Sequence, residues 1–163
     1  MKNIQKMFVK ITAGVLITSL GIVTVSAAAL SNVSDTLSSI KISASSTHSF
    51  VFTTPTGIGA GSTTLITFPS TVPGQSEFLI PLALSFTDVD VNIGGPYTAS
   101  ATLAASQTGA TWGVGRMSST TLLLTNGTSP VTAGQTVYIR IGTNALHQST
   151  GVNNIVNATT SGN

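Results

Sequence analysis

Thr47-His48-Ser49-Phe50-Val51-Phe52-Thr53-Thr54, Pro55-Thr56-Gly57-Ile58-Gly59-Ala60-Gly61 and Ser62-Thr63-Thr64-Leu65-Ile66-Thr67-Phe68 follow one another without a break. Side chains on an extended chain alternate faces, so His48, Phe50 and Phe52 share one face while Thr47, Ser49 and Thr53 share the other. The glycines after Pro55 supply the positive backbone angles that a chain reversal needs, and a second alternating run follows, with Ile66 and Phe68 facing the same interior. The stretch reads as two strands in a hairpin-like pair, and it sets the class as all-β.

Upstream, residues 1–27 stand apart from the fold. Lys2, Lys6 and Lys10 precede an apolar run over 11–25, and Val25-Ser26-Ala27 places small residues where a signal peptidase cuts, after Ala27, Ala28 or Ala29. This is the pattern of an N-terminal helical signal peptide, leaving residues 28–163 as the exported domain. A retained membrane anchor is the alternative, because 8–29 approaches the length of a span; Thr12, Thr18, Ser19 and Thr24 lower its apolarity.

Without that segment the charge balance inverts. The whole chain is formally +2, but residues 28–163 keep only Lys41, Arg116 and Arg140 against Asp35, Glu77, Asp88 and Asp90, a net charge of −1. Three scattered cations cannot neutralise a run of phosphates, which excludes nucleic-acid binding. About a third of this region is Ser or Thr, a composition that suits solvent-facing strand positions. Aromatic and β-branched residues recur at strand spacing, unlike in a disordered stalk. Cysteine is absent, so the domain forgoes disulfides.

Further along, Ile40 and Ile42 point inward from a short strand with Lys41 outside, and Pro69 and 71–75 stop the strand before them. Residues 78–91 form one or two strands, with Pro81 at an edge or break. After the turn 92–96, Tyr97, Ala99, Ala101 and Leu103 form the inward set of another strand. Trp112, Val114 and 119–125 add two more. Asn126-Gly127 is a turn signal, and Val137, Ile139 and Ile141 point inward with Tyr138 and Arg140 outside. The expectation is an antiparallel β-sandwich of about 7–9 strands, Ig-like or jelly-roll-like, with a closed barrel as the rival.

Ser34-Asp35-Thr36-Leu37, His48-Ser49-Phe50-Val51-Phe52-Thr53-Thr54, Ala60-Gly61-Ser62-Thr63-Thr64-Leu65-Ile66-Thr67-Phe68-Pro69, Phe86-Thr87-Asp88-Val89-Asp90-Val91 and Ala133-Gly134-Gln135-Thr136-Val137 together resemble Ig-like β-sandwich modules of bacterial and archaeal secreted surface proteins. The resemblance implies a non-catalytic adhesin, stalk or envelope component. In such modules the turn at 157–163 would lead into a closing strand; the expectation here is that the sequence is a fragment or that the short ending suffices, with a domain lacking a C-terminal edge strand and accepting one from a neighbour as the sharper alternative.

Candidate chemistry is sparse. Asp88, Asp90 and Asn92 share a strand face, but Ile93 and Ala99 stand where a calcium loop needs glycine and glutamate, so the expectation is a solvated strand face with Val89, Val91 and Ile93 buried. His48 and His147 lack metal-ligand spacing: one packs at a sheet face and the other lies in a surface loop. Ser38 and Lys41 match Ser-x-x-Lys without its companion motifs. The glycines of 57–61 link two strands rather than opening a helix, which excludes a phosphate loop. Tyr97, Trp112 and Tyr138 would make an aromatic platform for sugars, although Trp112 reads as core. Asn32, Asn126 and Asn157 match the glycosylation acceptor pattern. No catalytic, cofactor-binding or metal residue is assigned. The expected role is a secreted or cell-surface structural module whose partners are copies of itself or other cell-envelope proteins, with polysaccharide as the alternative partner and no membrane contact after signal cleavage.

Overall fold

The computed structural model describes residues 29–69, 78–96, 99–145 and 151–159. Among them are eleven strands: β1 (Ser31–Leu37), β2 (Ser45–Ser46), β3 (His48–Thr54), β4 (Thr63–Thr67), β5 (Val89–Ile93), β6 (Ala99–Ser100), β7 (Leu103–Ala104), β8 (Trp112–Arg116), β9 (Thr121–Thr125), β10 (Gln135–Ile141) and β11 (Ile155–Val156). The one other regular element is a 3₁₀ turn, Phe86–Asp88. The signal-peptide reading of 1–27 lies outside the described residues.

Five strands form one sheet in the order β1-β3-β10-β5-β6, and four form a second in the order β4-β9-β8-β7. Every pairing is antiparallel except the two-residue contact of β7 with β8. Phe52, Val89, Val91, Val137, Ile139 and Ile141 from the first sheet meet Ile66, Leu103, Trp112, Val114, Leu122 and Leu124 from the second in one buried cluster. That makes the chain an all-β sandwich. Each of these aliphatic side chains contributes on the order of 1.5–3 kcal/mol by leaving water, which is why alternation along β3, β9 and β10 is so regular.

Three local expectations are corrected. First, β3 and β4 do not pair: β3 lies between β1 and β10, whereas β4 pairs with β9. The glycine segment is an arch that carries the chain from one sheet to the other. Ile58 exchanges backbone hydrogen bonds with Val131 at 2.9 Å each way, and Gly57 sits there at φ 79° with its Cα against the Val131 carbonyl, where a Cβ has no room. Glycine is required for the crossing rather than for a hairpin turn.

Second, Ile40 and Ile42 do not point into a core; they are 90% and 58% exposed on a loop spanning 38–44. Asn157 Nδ2 donates to the carbonyls of Ser39 and Lys41 at 2.8 and 2.9 Å and holds that loop in a non-strand path. Third, the run ending at Leu103 is not one strand. Ala99–Ser100 pairs with β5 in the first sheet, and Leu103–Ala104 pairs with β8 in the second, so the chain changes sheets between them. The placement of Tyr97 lies outside the described residues.

At the C-terminal side, Ile155 is fully buried and β11 pairs with β2, while Leu79 and Val156 exchange backbone hydrogen bonds at 2.9 Å. This segment closes one end of the sandwich.

Candidate functional site

The face bearing Asp88, Asp90 and Asn92 is not solvated: all three side chains are buried. Asp88 ends the 3₁₀ turn, which Ser85 caps by accepting from the Thr87 N–H while Asp88 accepts from the Ser85 N–H at 2.9 Å, a reciprocal box. Its Oδ1 accepts the backbone N–H groups of Val152 and Asn153 at 2.8 and 2.9 Å, and Oδ2 accepts Asn153 Nδ2 at 3.0 Å. Burial alone would favour the neutral acid, but the bonds from Asn153, Ser85 and Val152 outweigh it and hold the carboxyl below its ordinary value. Asp88 is therefore an ionised staple that fastens the segment 151–157 to β5.

Asp90 lies 4.0 Å from Arg140 Nη1, and Asn92 Oδ1 accepts Ser100 Oγ at 2.9 Å. The three side chains answer separate partners instead of converging on one point. Among the described residues there is no cluster of three or more His, Cys, Asp or Glu able to hold a metal ion.

Arg140, expected outside, is also buried, on the face of β10 away from the core. It borders a groove of about 430 Å³ together with Ser49, Val51, Pro96, Tyr138 and Thr143. Period-two alternation identified the correct face and could not show that the face is covered. Trp112 packs in the core, so it is not available to a sugar platform with Tyr138; Tyr97 lies outside the described residues.

His48 is 1% exposed and sits at the inner face of β3. Its ring stacks on Phe50 at 5.9 Å and meets Phe68 and Phe78 edge-on at 5.1 and 5.9 Å. Nδ1 lies 2.8 Å from Asp35 Oδ2; a carboxylate can only accept, so Nδ1 carries the proton and donates. Nε2 is buried without a hydrogen-bond partner among the described residues. His147 lies outside the described residues. Ser38 Oγ accepts the Thr47 N–H at 2.9 Å and precedes no helix, which removes the structural context a Ser-x-x-Lys nucleophile needs. Of the glycosylation patterns, Asn126 and Asn157 are buried, the first donating to the carbonyls of Ile58 and Gly59; Asn32 alone is exposed.

What the fold leaves open is its sheet edges. At one flank of the sandwich β1 ends the first sheet and β4 ends the second. β4 carries no charge and no proline, and its Leu65 is 56% exposed. A groove of about 370 Å³ between the sheets runs beside it, where Leu30, Phe52, Ile58 and Leu65 alternate with the hydroxyl side chains of Thr54, Thr56, Ser62, Thr63 and Thr64. β1 is more exposed still, with six of its seven residues open to solvent. Its pairing with β3 is interrupted by a register shift between Ser31 and Ser34, with Asn32 at φ 51°.

No family model, curated protein or solved structure matches the chain significantly. The reading of function therefore rests on this geometry alone.

Proposed function

We propose that the chain is a secreted or cell-surface structural module, without catalysis, that joins copies of itself or other envelope proteins by pairing strands at its sheet edges. The observation that carries this reading is β4: an uncharged Thr-Thr-Leu-Ile-Thr edge beside a groove of mixed apolar and hydroxyl lining. An unpaired edge presents a row of N–H and C=O groups, and soluble proteins guard such rows with lysine, proline, bulges or a covering loop. Among the described residues β4 has none of these, and a strand added there gains backbone hydrogen bonds and buries Leu65 together. Export is supported by the basic, apolar and small-residue order of 1–27, and the Ig-like character by the sequence resemblance.

Negative-stain electron microscopy of the protein released by a secreting host tests the reading. Concentration-dependent oligomers or filaments are expected, with an N-terminus beginning after Ala27, Ala28 or Ala29 by mass spectrometry. Dispersed particles at every concentration contradict self-association.

The second reading, a carbohydrate-binding module, draws on the polar groove at Arg140, where Tyr138, Ser49 and Thr143 offer hydrogen bonds and one ring face. Polysaccharide pull-down with the Tyr138→Ala variant as control tests it; binding that the substitution abolishes is the expected result, and no retention by any polymer contradicts it.

A further inference from the structure

β1 contributes little to the core. Six of its seven residues are exposed, although the strand has two faces and one lies toward the sandwich interior. What holds it is a backbone ladder to β3 and two side-chain ties: Asp35 to His48 at 2.8 Å, and a long contact of 3.4 Å from Asn32 Nδ2 to Thr53 Oγ1. The β3 surface beneath it is the opposite, specific and largely buried, with His48, Phe50 and Phe52 fixed against Phe68 and Phe78. The receptor is rigid, and the strand it holds is peripheral.

The connection from β1 to the body has an unusual composition for its conformation. Residues 38–44 include Ile40 and Ile42 at strand spacing, yet both are exposed and the chain is bent, with Ser43 at φ 56°. A local sequence that favours an extended strand is held in a loop by Asn157 Nδ2 on two of its carbonyls and by the Ser43 N–H donating to Ala158 O at 3.0 Å. Straightening the loop relieves Ser43 and lets two apolar side chains pair with another extended chain.

From these observations we propose that β1 is an exchangeable strand: in the assembled protein, β1 of one copy occupies the β3 edge of another, with residues 38–44 as the hinge. The proposal rests on the self-association reading above and identifies the partner segment. The pairing with β3 is the same in both states, including the Asp35 to His48 bond, so exchange forfeits no contact of that interface. The balance is set by hinge strain and apolar pairing of Ile40 and Ile42 on one side, and on the other by association entropy and the loss of the bonds that hold the bent loop to Asn157 and Ala158. Reciprocal exchange closes a dimer, and head-to-tail exchange propagates a filament.

The chain contains no cysteine, which permits a direct test. Thr36 and Ser49 are partners across β1 and β3. Two full-length proteins, one carrying Thr36→Cys and the other Ser49→Cys, are mixed at a concentration that supports assembly and mildly oxidised. Exchange places the two thiols side by side only between different copies, so the expected product is the mixed Thr36→Cys/Ser49→Cys heterodimer in excess over either homodimer. Thr36→Cys homodimers alone would show β1 edges meeting without exchange; that overturns the proposal and leaves self-association standing. No covalent species, with monomers by sedimentation, overturns both. The double variant, oxidised in dilute solution to tie β1 to its own β3, is expected to assemble markedly less than its reduced form, any association that remains being pairing at the β4 edge. If tied and reduced forms assemble equally, exchange is overturned. Asn157→Ala, which frees the hinge carbonyls, is expected to increase heterodimer yield several-fold at early times, and a yield equal to that of the parent pair would count against residues 38–44 as the hinge.

Discussion

Asp88 is ionised and buried because a turn and a distant loop both aim N–H groups at it. Replacing it by asparagine puts an NH₂ group among donors and removes the charge; the expected loss is about 3 kcal/mol, from the strength of hydrogen bonds to charged groups, read by urea unfolding. Its folded value lies below that of the unfolded chain, about 3.9 for an aspartate. Its stabilising contribution is therefore complete above that value and is lost as pH falls through the depressed folded one. The melting temperature should hold from neutrality to about pH 5 and drop below about pH 4, with a shallower drop in Asp88→Asn. An equal acid profile in both proteins would contradict this role. Gly57→Ala meets both a left-handed backbone and the Val131 carbonyl; a loss of at least about 2 kcal/mol is expected from the αL penalty and the clash. At this scale alternation revealed the inner residues Phe52, Val137, Ile139 and Ile141. It misjudged Asp88, Asp90, Asn92 and Arg140, because a polar face in sequence reads the same whether water or another part of the chain covers it.

Among the elements, the sequence signal for a reversal after Pro55 was sound and its geometry was not. Glycines at 57, 59 and 61 serve a hairpin or an arch equally well, and the choice is made by non-local partners: β10 and β1 take both edges of β3, and β9 takes β4. Ile40 and Ile42 show the converse, a strand period overruled by side-chain bonds from Asn157 across the fold. The edge property of β4 was legible only as composition, since a neutral Thr-rich strand can equally be central. Leu65→Lys should leave folding intact, changing stability by less than about 1 kcal/mol at an exposed position, while placing a charge on the edge that opposes strand addition. Size-exclusion chromatography of the variant against the parent should show fewer associated species; unchanged association would move the contact away from β4.

For the whole molecule, fold class followed from turn spacing and β-branched periodicity, and the two sheets enclose one core as that pattern requires. The proposed function was less legible because edge pairing uses backbone groups, which every sequence possesses. What distinguishes this chain is that among the described residues nothing guards the β4 edge, and that β1 is held by its ladder to β3 rather than by core burial, both of which emerge only from topology. The most direct measurement is sedimentation velocity of residues 28–163 across a wide concentration range. The account predicts a monomer at low concentration giving way reversibly to larger species, a shift weakened by Leu65→Lys. A single monomeric boundary throughout would contradict it.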